Sequence, residues 1–231
     1  MACSCHLSTL DCQFSDKIAK RDLADYRENG PGTTTQAILD LVAALELENA
    51  TLLDVGGGIG VLHHELLADG VSTATAIEPS EAYLRAAREE TERRGLTNRV
   101  VFQRGDLQSL ADTVEPADLV TLDRVICCDP DMGALTRAAA TKCRRYLVAS
   151  FPNDRWYVRV GMLLENCGRV LTRNPFRAFV HSEEAIDAVF AEEGLARIRT
   201  LRTFVWQIAL YERVPDRKAL VERALHPEQA D

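Results

Sequence analysis

The stretch TLLDVGGGIG, residues 51–60, runs from a short apolar segment into four glycines within five positions. TLLDV has the length and composition of a buried strand. The glycines let the backbone turn sharply and let a ligand come close to it. A strand, a glycine loop and a following helix form the opening unit of an α/β fold, so this stretch decides the architecture.

The flanking sequence continues that pattern. Upstream, Asn29-Gly30-Pro31-Gly32 marks a turn, and Thr33, Thr34 or Thr35 can cap a helix through TQAILDLVAALELE, where Ile38, Leu41, Val42 and Leu45 keep helical spacing. Downstream, residues 59–69 read as a helix stopped by Gly70. TATAIE is a second strand, and Ser80 caps a helix over EAYLRAAREETERR that ends at Gly95. RVVFQRGD and ADLVTLDRVI are a third and a fourth strand, MGALTRAAATKC a helix, and RRYLVASFP a fifth strand. A helical stretch around VRVGMLLENCGRVL, a helix from Ser182 to Glu193 and two late strands, ARIRTLRT and FVWQIALYER, complete the pattern. The late strands lie too close together for a crossover helix and predict an antiparallel hairpin at the sheet edge. The fold class is therefore α/β: a doubly wound, seven-stranded, mostly parallel sheet with helices on both faces. Residues 1–35, mixed and turn-rich, are expected to contribute to a lid or a metal site. Residues 36–213 form the main domain, with an insertion at about 153–181, and 214–231 a polar tail.

Ligands of such sheets sit beyond the carboxyl ends of the strands. A dinucleotide loop, G-x-G-x-x-G, started at Gly56 needs glycine at position 61, where the chain has Val61. A phosphate P-loop needs a lysine that does not follow Gly60. What fits is acidic-x-Gly-x-Gly-x-Gly: Asp54, Gly56, Gly58 and Gly60. This resembles the first motif of class I S-adenosylmethionine-dependent methyltransferases, a resemblance that extends over roughly residues 33–213. The resemblance implies S-adenosylmethionine as cofactor, with Asp54 and the glycine loop around its amino-acid end. Glu78 then meets the ribose hydroxyls, Asp106 the adenine amino group, the Leu107 backbone N–H the adenine ring, and Asp123 the methionine end. Glu78 alone would equally suit an NAD enzyme.

The insertion from SFPNDRW to AFVH is similar to that of magnesium-protoporphyrin methyltransferases, which methylate a propionate carboxylate. The chain departs from them after the fourth strand, carrying Cys127-Cys128-Asp129-Pro130 where they have a His-Tyr-Pro run. A small-molecule acceptor is expected, with oxygen, nitrogen or sulfur open as the attacked atom and a carboxylate or a thiol or metalloid among the options. Its site should combine the segment before the first helix, the loop after the fourth strand and the insertion. Tyr26 and His181 are the candidate catalytic side chains, His181 because it titrates near neutral pH. His63 and His64, inside a helix, are expected to be structural, and Cys127 and Cys128 to be small buried groups, one of them in the acceptor pocket.

Two other classes compete. Val61 and the terminal hairpin disfavour an NAD-dependent oxidoreductase. Cys3, Cys5, His6 and Cys12 supply ligand types suited to zinc or a soft metal, and they support a non-enzymatic, cofactor-binding or metal-sensing module. Their spacing is not that of a zinc finger.

Bulk properties narrow the remainder. No apolar run is long enough to cross a bilayer, so no membrane insertion is expected. The N-terminus lacks the marks of a secretory signal, and seven cysteines, an odd number, do not suggest a disulfide framework, so a cytoplasmic location is expected. The net charge of −8 argues against a large nucleic-acid or anionic-membrane surface. Arg144, Arg145, Arg155, Arg159, Arg169, Arg173 and Arg177 gather in one third of the chain and read as solvated helix faces.

Overall fold

A computed structural model describes residues 13–214. Its strands are β1 (Thr51–Val55), β2 (Thr73–Glu78), β3 (Val100–Arg104), β4 (Ala117–Asp123), β5 (Cys143–Pro152), β6 (Leu195–Arg202) and β7 (Trp206–Arg213). They form one seven-stranded sheet in the order β3-β2-β1-β4-β5-β7-β6. Strands β1 to β5 pair in parallel, whereas β7 runs antiparallel to both β5 and β6. Strand order reverses between β1 and β4, which puts the ligand crevice at the glycine loop.

Alternation along the strands splits the core into two layers. Leu52, Leu119, Val148, Ile208 and Leu210 face one side, packed with Ile38, Leu41, Leu62 and Leu66. Leu53, Val120, Leu122, Leu147, Ala149 and Tyr211 face the other, against Leu135, Ile186 and Phe190. A doubly wound sheet needs both faces covered, and the helices supply the cover: α2 (Thr33–Val42) and α3 (Val61–Ala68) on the first side, α6 (Met132–Thr141) and α8 (Glu183–Glu192) on the second. Ser80 and Ser182 cap their helices by accepting the N–H groups of Tyr83 and Ala185.

Two expectations need correction. Residues 16–29, read as mixed and turn-rich, form a helix, α1 (Asp16–Asn29). Its apolar signal is only Ala19, Leu23 and Tyr26 in a charged segment, and these three are its buried residues. None of Thr33, Thr34 and Thr35 caps α2; Gly32 holds the cap position, and no side chain bonds there. Thr35 instead donates its hydroxyl to Asp123, 2.6 Å away.

The remaining helices are α4 (Glu81–Arg93), α5 (Leu107–Leu110) and α7 (Trp156–Leu171). Helix α1 lies over the glycine loop and α4, with Ala19, Leu23 and Tyr26 packed on Ile59 and Ala86. Its polar anchor is Glu90 on α4, whose buried carboxylate accepts from Arg93, Arg94 and Arg27 at 2.8 Å or less. The Arg93 guanidinium, aided by Arg94 and Arg27, holds the Glu90 carboxyl far below the usual carboxylate range. No helix among the described residues is long and apolar enough to cross a membrane.

Candidate functional site

A cavity of about 610 Å³ opens at the carboxyl ends of β1, β2 and β4, within the range of small-molecule sites. Its wall includes Asp54, Gly56, Gly58, Glu78, Asp106, Leu107 and Asp123. The side chains expected at a cofactor thus come together in one wall, although each is held differently.

Glu78 ends β2 buried. One carboxylate oxygen accepts the Gly58 N–H at 2.9 Å and the other the Ser80 N–H at 2.8 Å. It therefore fixes the glycine loop to the β2 turn while lining the cavity. Asp106 precedes α5 and accepts the Ser109 N–H at 2.7 Å through one oxygen. Leu107 is buried and borders the cavity.

Asp54, expected at the ligand's ammonium group, lines the cavity with a carboxylate already bonded within the protein. Its carboxylate is 1 % exposed and accepts from Thr121 at 2.7 Å, with the His63 Nδ1 at 2.8 Å on its second oxygen. It braces the loop from beneath. Gly60 explains why His63 sits there: at φ +92° a Cβ on residue 60 would lie 2.6 Å from His63 Nε2 and from His64 Cε1. Gly58, at φ +55°, is the opposite case, since an added Cβ would meet no protein atom closer than 4.0 Å. The first glycine makes room for protein, the second leaves room for a ligand.

His64 is fully buried, with Nε2 2.8 Å from the Thr91 hydroxyl. Burial, with the neighbouring His63, lowers its pKa to about 2. Because the folded value lies below the unfolded one, the unfolded chain binds the extra proton between about pH 2 and 6.5. Stability from this group is complete above the unfolded pKa and falls as pH drops through that window. The thermal midpoint is expected to decline between pH 7 and 5 more steeply in the wild type than in His64→Gln. Equal slopes would remove His64 from the acid response.

At the end of β4, Asp123 is clamped by two hydroxyls, Ser150 at 2.6 Å and Thr35 at 2.6 Å. The next residue, Arg124, takes a positive φ of 59°, a conformation costly for a long side chain, and its N–H bonds to the Ser150 hydroxyl at 2.8 Å. The clamp fixes the bend that turns the chain into Cys127 and Cys128. Their sulfurs lie 3.8 Å apart, and both thiols contact the Arg124 carbonyl. The contact with Cys128 and burial push the Cys127 thiol up; the same contact, with Arg124 and Arg169 nearby, holds Cys128 down.

Beyond these residues the cavity continues between Phe14, Met162, Phe176 and Ala178, with Arg124, Glu165 and Arg169 among its charged groups. Arg169 pairs with Glu165 at 2.5 Å and sits 4.9 Å over the Phe176 ring. This compartment was legible only as an insertion; Thr35, Ser150 and the bend at Arg124 had no sequence signal of their own.

Of the two expected catalytic side chains, Tyr26 lines the cavity and His181 does not. The Tyr26 hydroxyl donates to Glu65 at 2.5 Å under the Arg94 guanidinium, and burial followed by that bond pushes its pKa well up. Its ring borders the cavity, but its proton is committed. His181 lies outside the cavity wall, donating from Nε2 to the Asp129 carbonyl at 3.0 Å. Among the described residues no group of three His, Cys, Asp or Glu side chains could hold a metal ion. Cys3, Cys5, His6 and Cys12 lie outside the described residues.

Residues 52–148 match a family model described as a methyltransferase domain. The matched segment carries the glycine loop, Glu78 and Asp106 that gather at one cavity, an arrangement that supports S-adenosylmethionine-dependent methyltransferase activity. Its fold is similar to that of magnesium protoporphyrin IX methyltransferase from Synechocystis PCC 6803, at 23% identity and TM-score 0.63, over 79% of this chain and 82% of that one. It is also similar to an O-methyltransferase family protein from Burkholderia thailandensis, at 17% identity and TM-score 0.67, over 87% and 61% of the two chains. A chain from the complex of the Trm112 methyltransferase activator with a methyltransferase in Haloferax volcanii aligns at 15% identity and TM-score 0.69, over 89% and 98%. No curated protein matches the sequence.

Proposed function

We propose that the enzyme methylates a small, partly apolar acceptor that carries an anionic group, seated between the β4–α6 loop and α7. The observation behind this is the shape of the cavity: one continuous space runs from Glu78 and Gly58 to a compartment walled by Phe14, Met162, Phe176 and Ala178. Arg124 and Arg169 stand in that compartment and suit a carboxylate, which guanidinium groups bind well.

The cofactor, when bound, supplies a methyl group already activated on a sulfonium. The protein's work is then mainly positioning. Glu78 offers carboxylate oxygens to two neighbouring hydroxyls, Gly58 leaves space for close approach, and Asp106 with the Leu107 backbone suits a ring bearing an amino group. On the acceptor side the apolar wall excludes water and the arginines orient the anionic end. A carboxylate acceptor arrives deprotonated at neutral pH and needs no base, which agrees with Tyr26 and His181 being committed elsewhere.

Transfer of labelled methyl from S-adenosylmethionine should be measured across pairs of acids and their amides that share one apolar body. Label is expected on the acids alone, and Arg124→Gln should raise KM for them about tenfold with little change in cofactor affinity. Methylation of the amides but not the acids would overturn the proposed acceptor class. Isothermal titration showing NAD bound in place of S-adenosylmethionine would overturn the site itself.

A further inference from the structure

Helix α7 inverts the usual arrangement. A helix in a globular protein buries its apolar stripe, yet of the sixteen residues of α7 only Val158 is buried. At 3.6 residues per turn, Trp156, Val160, Leu163, Leu164, Cys167, Val170 and Leu171 fall within one sector of about 120°. That sector faces outward: Trp156 is 75% exposed, Leu163 63%, Leu164 66% and Leu171 85%. The opposite side carries Met162, Glu165 and Arg169 into the cavity wall. The helix is amphipathic with its apolar side turned to the exterior.

Two further features surround the stripe. At its start Trp156, Tyr157 and Phe204 form an aromatic cluster, Trp156–Tyr157 with ring centroids 6.0 Å apart and Tyr157–Phe204 stacked at 4.7 Å. Phe204 is itself 76% exposed. Along one edge stand Arg155 just before the helix, Arg159, which bonds to the Asp154 carbonyl and lies 3.9 Å from its carboxylate, and Arg173 just past the helix end, all exposed. Glu165, the one carboxylate on α7, lies on the cavity side and is paired with Arg169.

We propose that α7 docks flat on an anionic lipid bilayer surface. An aliphatic stripe, aromatic residues at its end and arginines along its border are the parts that an interfacial helix uses. Aromatic side chains seat at the headgroup level, and arginines meet the negative lipid charge. The chain as a whole carries a net charge of −8, so the cationic border is a local feature that acts at short range, and a second copy docked through the same face would bring the same arginines to it. Docking in this orientation sets the lipid surface on one side of α7 and the cavity on the other.

The test is sedimentation of the full chain with vesicles of phosphatidylcholine alone or mixed with phosphatidylglycerol, alongside tryptophan emission. Wild-type protein is expected to bind the mixed vesicles, to bind them less as salt rises, and to show a blue shift that Trp156→Phe abolishes. The double variant Leu163→Glu/Leu164→Glu should partition about 100-fold more weakly, tenfold for each leucine withdrawn, with unchanged S-adenosylhomocysteine affinity as the check on folding. Wild type left in solution with both vesicle types overturns the proposal, as does equal binding by the double variant. Association into a dimer, or with a protein partner, that the double variant loses while vesicles never bind would assign the stripe to that occupant instead. None of these readouts depends on which acceptor is methylated.

Discussion

Asp54→Ala is expected to lower the thermal midpoint by about 10 °C. The Asp54 carboxylate, 1 % exposed, carries bonds to Thr121 and His63 at 2.7 and 2.8 Å. Hydrogen bonds to a charged group are each worth about 1.5–3 kcal/mol, so losing both costs roughly 3–5 kcal/mol. For a domain of this length each kcal/mol moves the midpoint by about 2–4 °C. His63 aggravates the loss, because its Nε2 is already buried with no partner among the described residues and the variant strands Nδ1 as well. Asp54→Asn keeps the shape and one acceptor, and should lose less than half as much. Differential scanning calorimetry of both variants distinguishes the two roles open to this residue. A midpoint within about 2 °C of wild type together with weakened cofactor binding would return Asp54 to the ligand; a large stability loss assigns it to the brace beneath the loop.

Asp54 also shows what a sequence can and cannot convey. The strand–loop–helix unit was legible because period-two burial and glycine placement are local properties, and Leu52 and Leu53 do face opposite layers. That an acid belongs to the loop was legible as well. Which way its carboxylate turns depends on His63, nine residues later, and on Thr121 from β4, partners that meet only once the sheet has formed. The same holds for Thr35, whose position suggested a helix cap and whose hydroxyl instead crosses to Asp123. Helix α1 was hidden for a different reason. Three buried side chains in fourteen residues give little periodic signal, and its hold on the fold comes through Glu90 and Glu65, far away in sequence.

Helix α7 is the reverse case: its periodicity is plain in VRVGMLLENCGRVL, but a pattern shows that a stripe exists, not which side meets the core. Summed charge has the same limit, because a total of −8 does not tell that Arg155, Arg159 and Arg173 stand exposed on and beside one helix. His181, attractive as a histidine ahead of a helix, is spent on the Asp129 carbonyl, a contact that depends on how the insertion folds back on the β4–α6 loop.

Glu78→Ala is expected to weaken S-adenosylmethionine binding by about 1–3 kcal/mol, roughly 10- to 100-fold in Kd. Two losses combine. The first is a carboxylate at the cavity wall, able to accept from two adjacent hydroxyls. The second is the acceptor for the Gly58 and Ser80 N–H groups, which holds the open face of the glycine loop at its present distance from β2. Glu78→Gln separates them, because the amide oxygen can keep one backbone N–H while the amide nitrogen offers a donor where a hydroxyl needs an acceptor. If the ligand bonds dominate, Gln will bind the cofactor almost as poorly as Ala. If positioning of the loop dominates, Gln will recover most of the affinity. Asp106→Ala serves as the comparison, since Asp106 holds a single backbone N–H, that of Ser109, and its replacement leaves the glycine loop in place. Isothermal titration of the three variants with S-adenosylhomocysteine measures all of this, and wild-type affinity in both alanine variants would dismantle the cofactor site built around Gly58.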